Sequence, residues 1–166
     1  MSQENEIEIL LDAVNNGQEI VRAFDLKAEI LTGILTLLIG MVAFTRHDVG
    51  VGALKWLELA IIIAAFITML FLALVLYPTN NPLERVKKGT YTPRGVYYVS
   101  GDDLTKESVS DIANKVSSTN WRDELVFELM KVSSIRERKN YWFKAAIWAA
   151  EVTFGLLLVH CIAHFV

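Results

Sequence analysis

The sequence predicts an all-α membrane protein with three transmembrane helices, long helical cytoplasmic stalks and a short amphipathic helix. Hydrophobic residues make up 53% of the 166 residues, and the mean hydropathy is +0.36. This apolar excess lies in three blocks, 30–45, 59–77 and 145–166. Before the first and third blocks, apolar residues recur at intervals of three and four, which is typical of one face of a helix.

The lengths of the blocks fit the bilayer. They have 16, 19 and 22 residues, and a hydrocarbon core about 30 Å thick needs roughly 20 helical residues. The first block is the shortest, so its helix is expected to extend back over Leu26 and Ala28, with Lys27 and Glu29 at the headgroups. The chain starts MSQENEIEILLD, without a basic leader, so this block is expected to stay as an anchor.

The distribution of positive charge predicts the orientation. Twelve of the sixteen Lys and Arg residues lie in 78–144, whereas 46–58 holds two. The positive-inside rule therefore predicts a cytoplasmic N-terminus and an external C-terminus. The predicted organisation is a cytoplasmic N-terminal helix (1–29), TM1 (30–45), an external loop (46–58), TM2 (59–77), a cytoplasmic loop with helices (78–144) and TM3 (145–166).

Two periodic segments predict the stalks. One runs from Ile7 to Ala28, and the other starts at Trp121 after the N-cap candidates Thr119 and Asn120. The stalks should be parallel and pack their apolar stripes together. Residues 105–117 predict the amphipathic helix, and 88–101 reads as a loop with one short strand.

Charged residues at the inner surface form a predicted charge layer. Asp25 and Lys27 precede the first block, and Arg136 and Lys139 precede the third, so Asp25 is expected to pair with Lys139 or a neighbouring base. The layer serves lipid headgroups and ion pairs, or else binds an anionic cytosolic ligand. The candidates for the charge layer or for ligand binding are Asp25, Lys27, Arg85, Lys87, Lys88, Arg94, Arg136 and Lys139.

Glu151 is the costliest residue in the sequence, because it lies inside an apolar block. Lys144, Trp148 and Gly155 share its helix face, which is expected to look inward at another helix. Either a hydroxyl such as that of Thr32 or Thr36 satisfies the carboxyl group, or the group lines a pore or an oligomer interface. The pore or interface candidates are Glu151, Gly155, Gly33 and Gly40.

No catalytic, metal or cofactor site is expected. The sequence lacks a Gly-rich phosphate loop, a CxxC pair and a nucleophile–base pattern. His160 and His164 are four residues apart, yet two ligands are too few for a metal site, and an interfacial role is favoured. We expect no enzyme and no nucleic-acid partner.

Three segments resemble the Pycsar transmembrane effector family. They are Arg22-Ala-Phe-Asp25-x-Lys27-Ala28, the aromatic run Gly95-Val-Tyr-Tyr-Val-Ser-Gly101, and Val132-Ser-Ser-Ile135-x-x-x-Lys139-x-Tyr141. The resemblance implies antiviral defence in the bacterial inner membrane. A pyrimidine cyclase would make cyclic CMP or cyclic UMP on infection, and the effector would then impair the bilayer. We also expect this chain to form a homo-oligomer. The alternatives are a signalling or scaffold subunit that binds a protein through its cytoplasmic helices, or a small ion transporter.

Overall fold

The computed structural model describes residues 3–44, 52–77 and 109–165, and within these ranges the chain is helical without a strand. The all-α prediction is therefore confirmed for this part of the chain. The loop predicted at 88–101 lies outside it. The helices are α1 (Gln3–Phe44), α2 (Ala53–Leu76), α3 (Val109–Ser117) and α4 (Trp121–Phe165).

The ends of α2 follow from local backbone chemistry. Gly52 precedes the helix with φ of 78°, a conformation that L side chains rarely adopt and glycine does readily. At the other end Tyr77 is extended, and its N–H donates to the Ala73 carbonyl at 2.8 Å. Tyr77 precedes Pro78, and a residue before proline is biased away from the helical region.

A short turn separates α3 from α4. The hydroxyl groups of Ser118 and Thr119 donate to the carbonyl oxygens of Asn114 and Lys115 at the end of α3. The next helix begins directly after Asn120, whose carbonyl accepts from the Glu124 N–H at 3.1 Å. Asp123 and Glu124 in this first turn interact favourably with the positive end of the helix dipole.

The described chain divides into two compact units. The first combines residues 3–19 with residues 109–135. In it Arg122 Nε lies 2.9 Å from Glu6 Oε1, and Gly17 packs against Val132. These contacts follow the same order along α1 and α4, so the two segments are parallel in this unit.

The second unit combines residues 20–44, 52–77 and 136–165. Three helices supply its buried apolar core, α1, α2 and α4. The core residues are Ala28, Leu35, Leu72, Val75 and Ala146, with Phe24, Leu31, Met69, Phe71, Trp142 and Phe143 packed around them.

Two helices among the described residues are long and apolar enough to cross a membrane. One such stretch is Lys55–Leu76 in α2, and the other lies within Trp121–Ala163 of α4. The block at 30–45, the end of which lies outside the described residues, is not among them. The first span therefore stays a prediction.

Candidate functional site

Asp25 and Lys139 form an ion pair between α1 and α4 in the second unit. The Lys139 ammonium group donates to the Asp25 carboxylate. The Lys139 side chain is 10% exposed and that of Asp25 is 33% exposed, so water screens this pair less than a surface pair. The pairing predicted from the sequence is confirmed.

Aromatic side chains cover the same end of the core. The rings of Phe24 and Phe143 meet edge to face, with centroids 5.6 Å apart. The rings of Phe71 and Trp142 stack with centroids 6.0 Å apart. Because these rings come from α1, α2 and α4, they fix the three helices relative to one another where the ion pair forms.

The structure describes some of the residues predicted for the charge layer or for ligand binding, and not others. Lys139 is engaged by Asp25, whereas Lys27 and Arg136 are exposed in the same unit. The other four candidates lie outside the described residues; they are Arg85, Lys87, Lys88 and Arg94.

A second polar contact joins α2 to α4 at the other end of the core. His160 Nε2 lies 3.7 Å from Glu58 Oε1, and both side chains are less than one-fifth exposed. Between the two ends, the buried hydroxyl groups of Thr68 and Thr153 are 3.3 Å apart. In these two contacts the α2 residue number decreases from 68 to 58 while the α4 residue number increases from 153 to 160, so the two helices are antiparallel.

Sequence reasoning missed both of these contacts. The four-residue spacing in the sequence points only to His164 as a neighbour of His160. The contact of His160 with Glu58 depends on how α2 and α4 align. In the described part of the chain, no group of three or more His, Cys, Asp or Glu residues is arranged to hold a metal ion.

Glu151 is exposed on α4. Its carboxyl group forms no hydrogen bond or ion pair with any residue that the structure describes. The Thr32 and Thr36 hydroxyl groups each donate at 2.8 Å to a carbonyl oxygen of their own helix, those of Ala28 and Thr32. The expectation that this face looks inward at another helix is thus wrong for the described helices of the same chain.

The predicted interface glycines have open space around them. Gly155 and Gly33 are exposed and Gly40 is half-buried. A Cβ atom built at any of the three meets nothing within 4 Å. Glu151 and Gly155 therefore share an uncovered face of α4, while Gly33 and Gly40 lie on α1.

Comparison with known proteins identifies the family. No curated protein and no solved structure matches the chain. The sequence model of the PycTM family, described as the Pycsar effector protein domain, matches residues 9–165. This match covers nearly the whole chain, and it includes Asp25, Lys139 and Glu151. The chain belongs to the PycTM family of Pycsar effectors, which are membrane effectors of antiphage defence.

Proposed function

We propose that this chain spans the inner membrane three times and is activated by a cyclic pyrimidine nucleotide, cyclic CMP or cyclic UMP, that a neighbouring pyrimidine cyclase supplies. The activated effector oligomerises and breaches the bilayer. Its N-terminus and residues 78–144 lie in the cytoplasm, and its C-terminus lies in the periplasm. Family membership supports the antiphage role, and the geometry of the second unit supports the membrane arrangement.

The distance along α4 between the Asp25–Lys139 contact and the Glu58–His160 contact supports the proposed membrane arrangement. Lys139 and His160 are 21 residues apart on one continuous helix. At 1.5 Å per residue this separation is about 31 Å, which matches the hydrocarbon core of a bilayer. Between them α4 holds two ionisable groups that carry full charges in water, Lys144 and Glu151, and α2 holds none after Glu58. Each polar contact then lies near a headgroup layer.

The basic residues support the orientation. Arg136, Arg138, Lys139 and Lys144 all lie at the ion-pair end of α4. An excess of Lys and Arg marks the cytoplasmic end of a span. The contact between Glu58 and His160 is then at the periplasmic end.

Charge chemistry supports an anionic regulatory ligand. A cyclic nucleotide carries a phosphate, and arginine forms bidentate hydrogen bonds to phosphate oxygens. Arg136 and Lys27 are exposed at the cytoplasmic end of the core, whereas Asp25 neutralises Lys139. We therefore expect Arg136 and Lys27, and not Lys139, to bind the phosphate group of the nucleotide.

Cells that express the effector with or without a pyrimidine cyclase test this function. We expect a membrane-impermeant dye to enter cells that hold the effector and an active cyclase. Cells with either protein alone, or with a catalytically dead cyclase, should exclude it. Dye entry that is the same with active and dead cyclase would contradict nucleotide activation.

One observation favours a partner-binding subunit as a second candidate. Two apolar side chains one turn apart on α4, Val126 and Met130, are exposed in the first unit. Such a surface suits a protein partner. This candidate predicts signalling without dye entry, so the same experiment separates the two functions.

A further inference from the structure

We propose that a second copy of this chain docks on one face of α4, and that Glu151 and Trp148 are the polar contacts of that interface. This inference rests on the proposed function, because it requires α4 to cross the bilayer. We call this surface the α4 outer face. It comprises Tyr141, Lys144, Trp148, Glu151, Gly155, Leu158 and Ile162, all of which are exposed.

The spacing of the α4 outer face suits packing against another helix. Its residues alternate at intervals of three and four, which is the heptad repeat of a helix–helix seam. Trp148 is 71% exposed and Ile162 is 57% exposed. A long, continuous strip is therefore available along the whole spanning part of α4.

The exposed face of α2 has a different composition. It consists of Trp56, Leu59, Ile63, Phe66 and Leu70, which are exposed and uncharged. Such a face is suited to lipid tails. The α4 outer face instead carries a carboxyl group and a glycine at its centre. This contrast indicates that lipid covers α2 and that protein covers α4.

The depth of Glu151 strengthens this conclusion. Along the helix it lies about 18 Å from Lys139 and about 14 Å from His160, at 1.5 Å per residue. It is therefore near the middle of the span, too far from either surface for its short side chain to reach the headgroups. A carboxyl group at this depth is among the costliest groups to leave in contact with lipid, and such groups face protein or water-filled cavities.

A second copy is the occupant that fits this face. All copies insert in the same orientation, so the same residues meet at the same depth. Trp148 lies one turn from Glu151 on the same face, and its indole N–H can donate to the Glu151 carboxyl group of a second copy. Gly155 has no Cβ, and the space beside it is open, so the second helix can approach closely there.

Disulfide cross-linking in native membranes tests this interface with a matched control. Cys161 is the one cysteine of the chain, it is exposed, and it is next to Ile162 in sequence. The two side chains point about 100° apart around the helix at nearly the same depth. We compare the parent chain with the double variant Cys161→Ser, Ile162→Cys under a mild oxidant.

We expect the cysteine at position 162 to give disulfide-linked dimers and Cys161 to give few. Equal yields from both positions, or no dimer from position 162, would overturn the proposed interface. The comparison is made with and without cyclic CMP and cyclic UMP. A cross-link at position 162 with no membrane leakage under any nucleotide would leave the interface standing and contradict the proposed function.

Substitutions at Glu151, added to the double variant Cys161→Ser, Ile162→Cys, test the polar contact. Glu151→Leu should lower dimer yield by about threefold, which is the average effect of losing one hydrogen bond between membrane helices. Glu151→Gln keeps an acceptor for Trp148 and should retain the yield. An Ala73→Leu change on the exposed face of α2 is the control and should have no effect. Equal yields from the Leu and Gln variants at equal membrane abundance would overturn the role of Glu151.

Discussion

At the scale of single residues, the ion pair between Asp25 and Lys139 places two charged groups beside the apolar core of the second unit. A lysine that is 10% exposed needs a partner, because an unpaired buried charge is strongly unfavourable. Asp25 supplies that partner from α1, and the rings of Phe24 and Phe143 pack edge to face between the same two helices. The pair therefore sets the register between α1 and α4 in the second unit.

Exchanging the two charges tests this pair. Lys139→Glu places two carboxylates together and should lower the free energy of unfolding in detergent by about 1–3 kcal/mol, between the values for exposed and buried pairs. Adding Asp25→Lys should restore part of the loss, because opposite charges face each other again. Thermal unfolding of the two single variants and the double variant measures this coupling. A double variant no more stable than the additive sum of the single variants would show that the pair does not couple α1 to α4.

Glu151 offers a test that separates assembly from leakage. Glu151→Gln removes the charge but keeps the shape and a hydrogen-bond acceptor, so it should insert at least as well as the parent. If the carboxylate lines the path through the membrane, the variant should leak less when activated. Dye release is measured at equal membrane abundance, which separates poor insertion from lost function. Unchanged release would remove Glu151 from the leakage step and leave its role at the interface intact.

At the scale of elements, α1 shows how one glycine permits close packing. A Cβ atom built on Gly17 would lie 2.7 Å from Val132 Cγ1. Valine is branched at Cβ and has little rotamer freedom, so it cannot easily move aside. Gly17 weakens the isolated helix by about 1 kcal/mol relative to alanine. In the folded first unit it is what lets α1 approach α4.

Gly17→Ala should therefore destabilise the protein although alanine favours helix. Overpacking typically costs about 1–3 kcal/mol, which exceeds the gain in helix propensity of about 1 kcal/mol. The matched control is Gly33→Ala in the same helix, where a new Cβ meets nothing within 4 Å. The melting temperature should fall for the first variant and hold or rise for the second. Equal shifts for both would contradict the close approach of Val132.

The sequence predicts the elements better than their contacts. The end of α2 before Pro78 and the start of α4 after Asn120 depend on neighbouring residues, so they are readable from local chemistry. The pairing of Asp25 with Lys139 was predictable because each precedes an apolar block by a similar distance. The contact of Glu58 with His160 depends on the alignment of α2 with α4, which no local pattern contains. The exposure of Glu151 likewise depends on which face of α4 the core uses.

At the scale of the whole molecule, the charge asymmetry predicts the orientation of the chain in the membrane. Twelve Lys and Arg residues lie in 78–144 and two in 46–58. Reporters fused after residue 110 should be active in the cytoplasm, and reporters fused after residue 50 should be active in the periplasm. The opposite location at either position would contradict the three-span arrangement.

Dye release from liposomes that contain only the purified effector tests whether a cyclic pyrimidine nucleotide makes this chain breach a membrane without another protein. The protein is reconstituted at a known density, and cyclic CMP, cyclic UMP or cyclic AMP is added from the side that exposes residues 78–144. We expect rapid release with a cyclic pyrimidine nucleotide and little release with cyclic AMP or buffer. Arg136→Ala should shift the response to higher nucleotide concentrations, because it removes a phosphate donor. Liposomes that hold inserted protein and stay sealed with both pyrimidine nucleotides, or that leak equally without them, would contradict nucleotide-activated membrane breach by this chain.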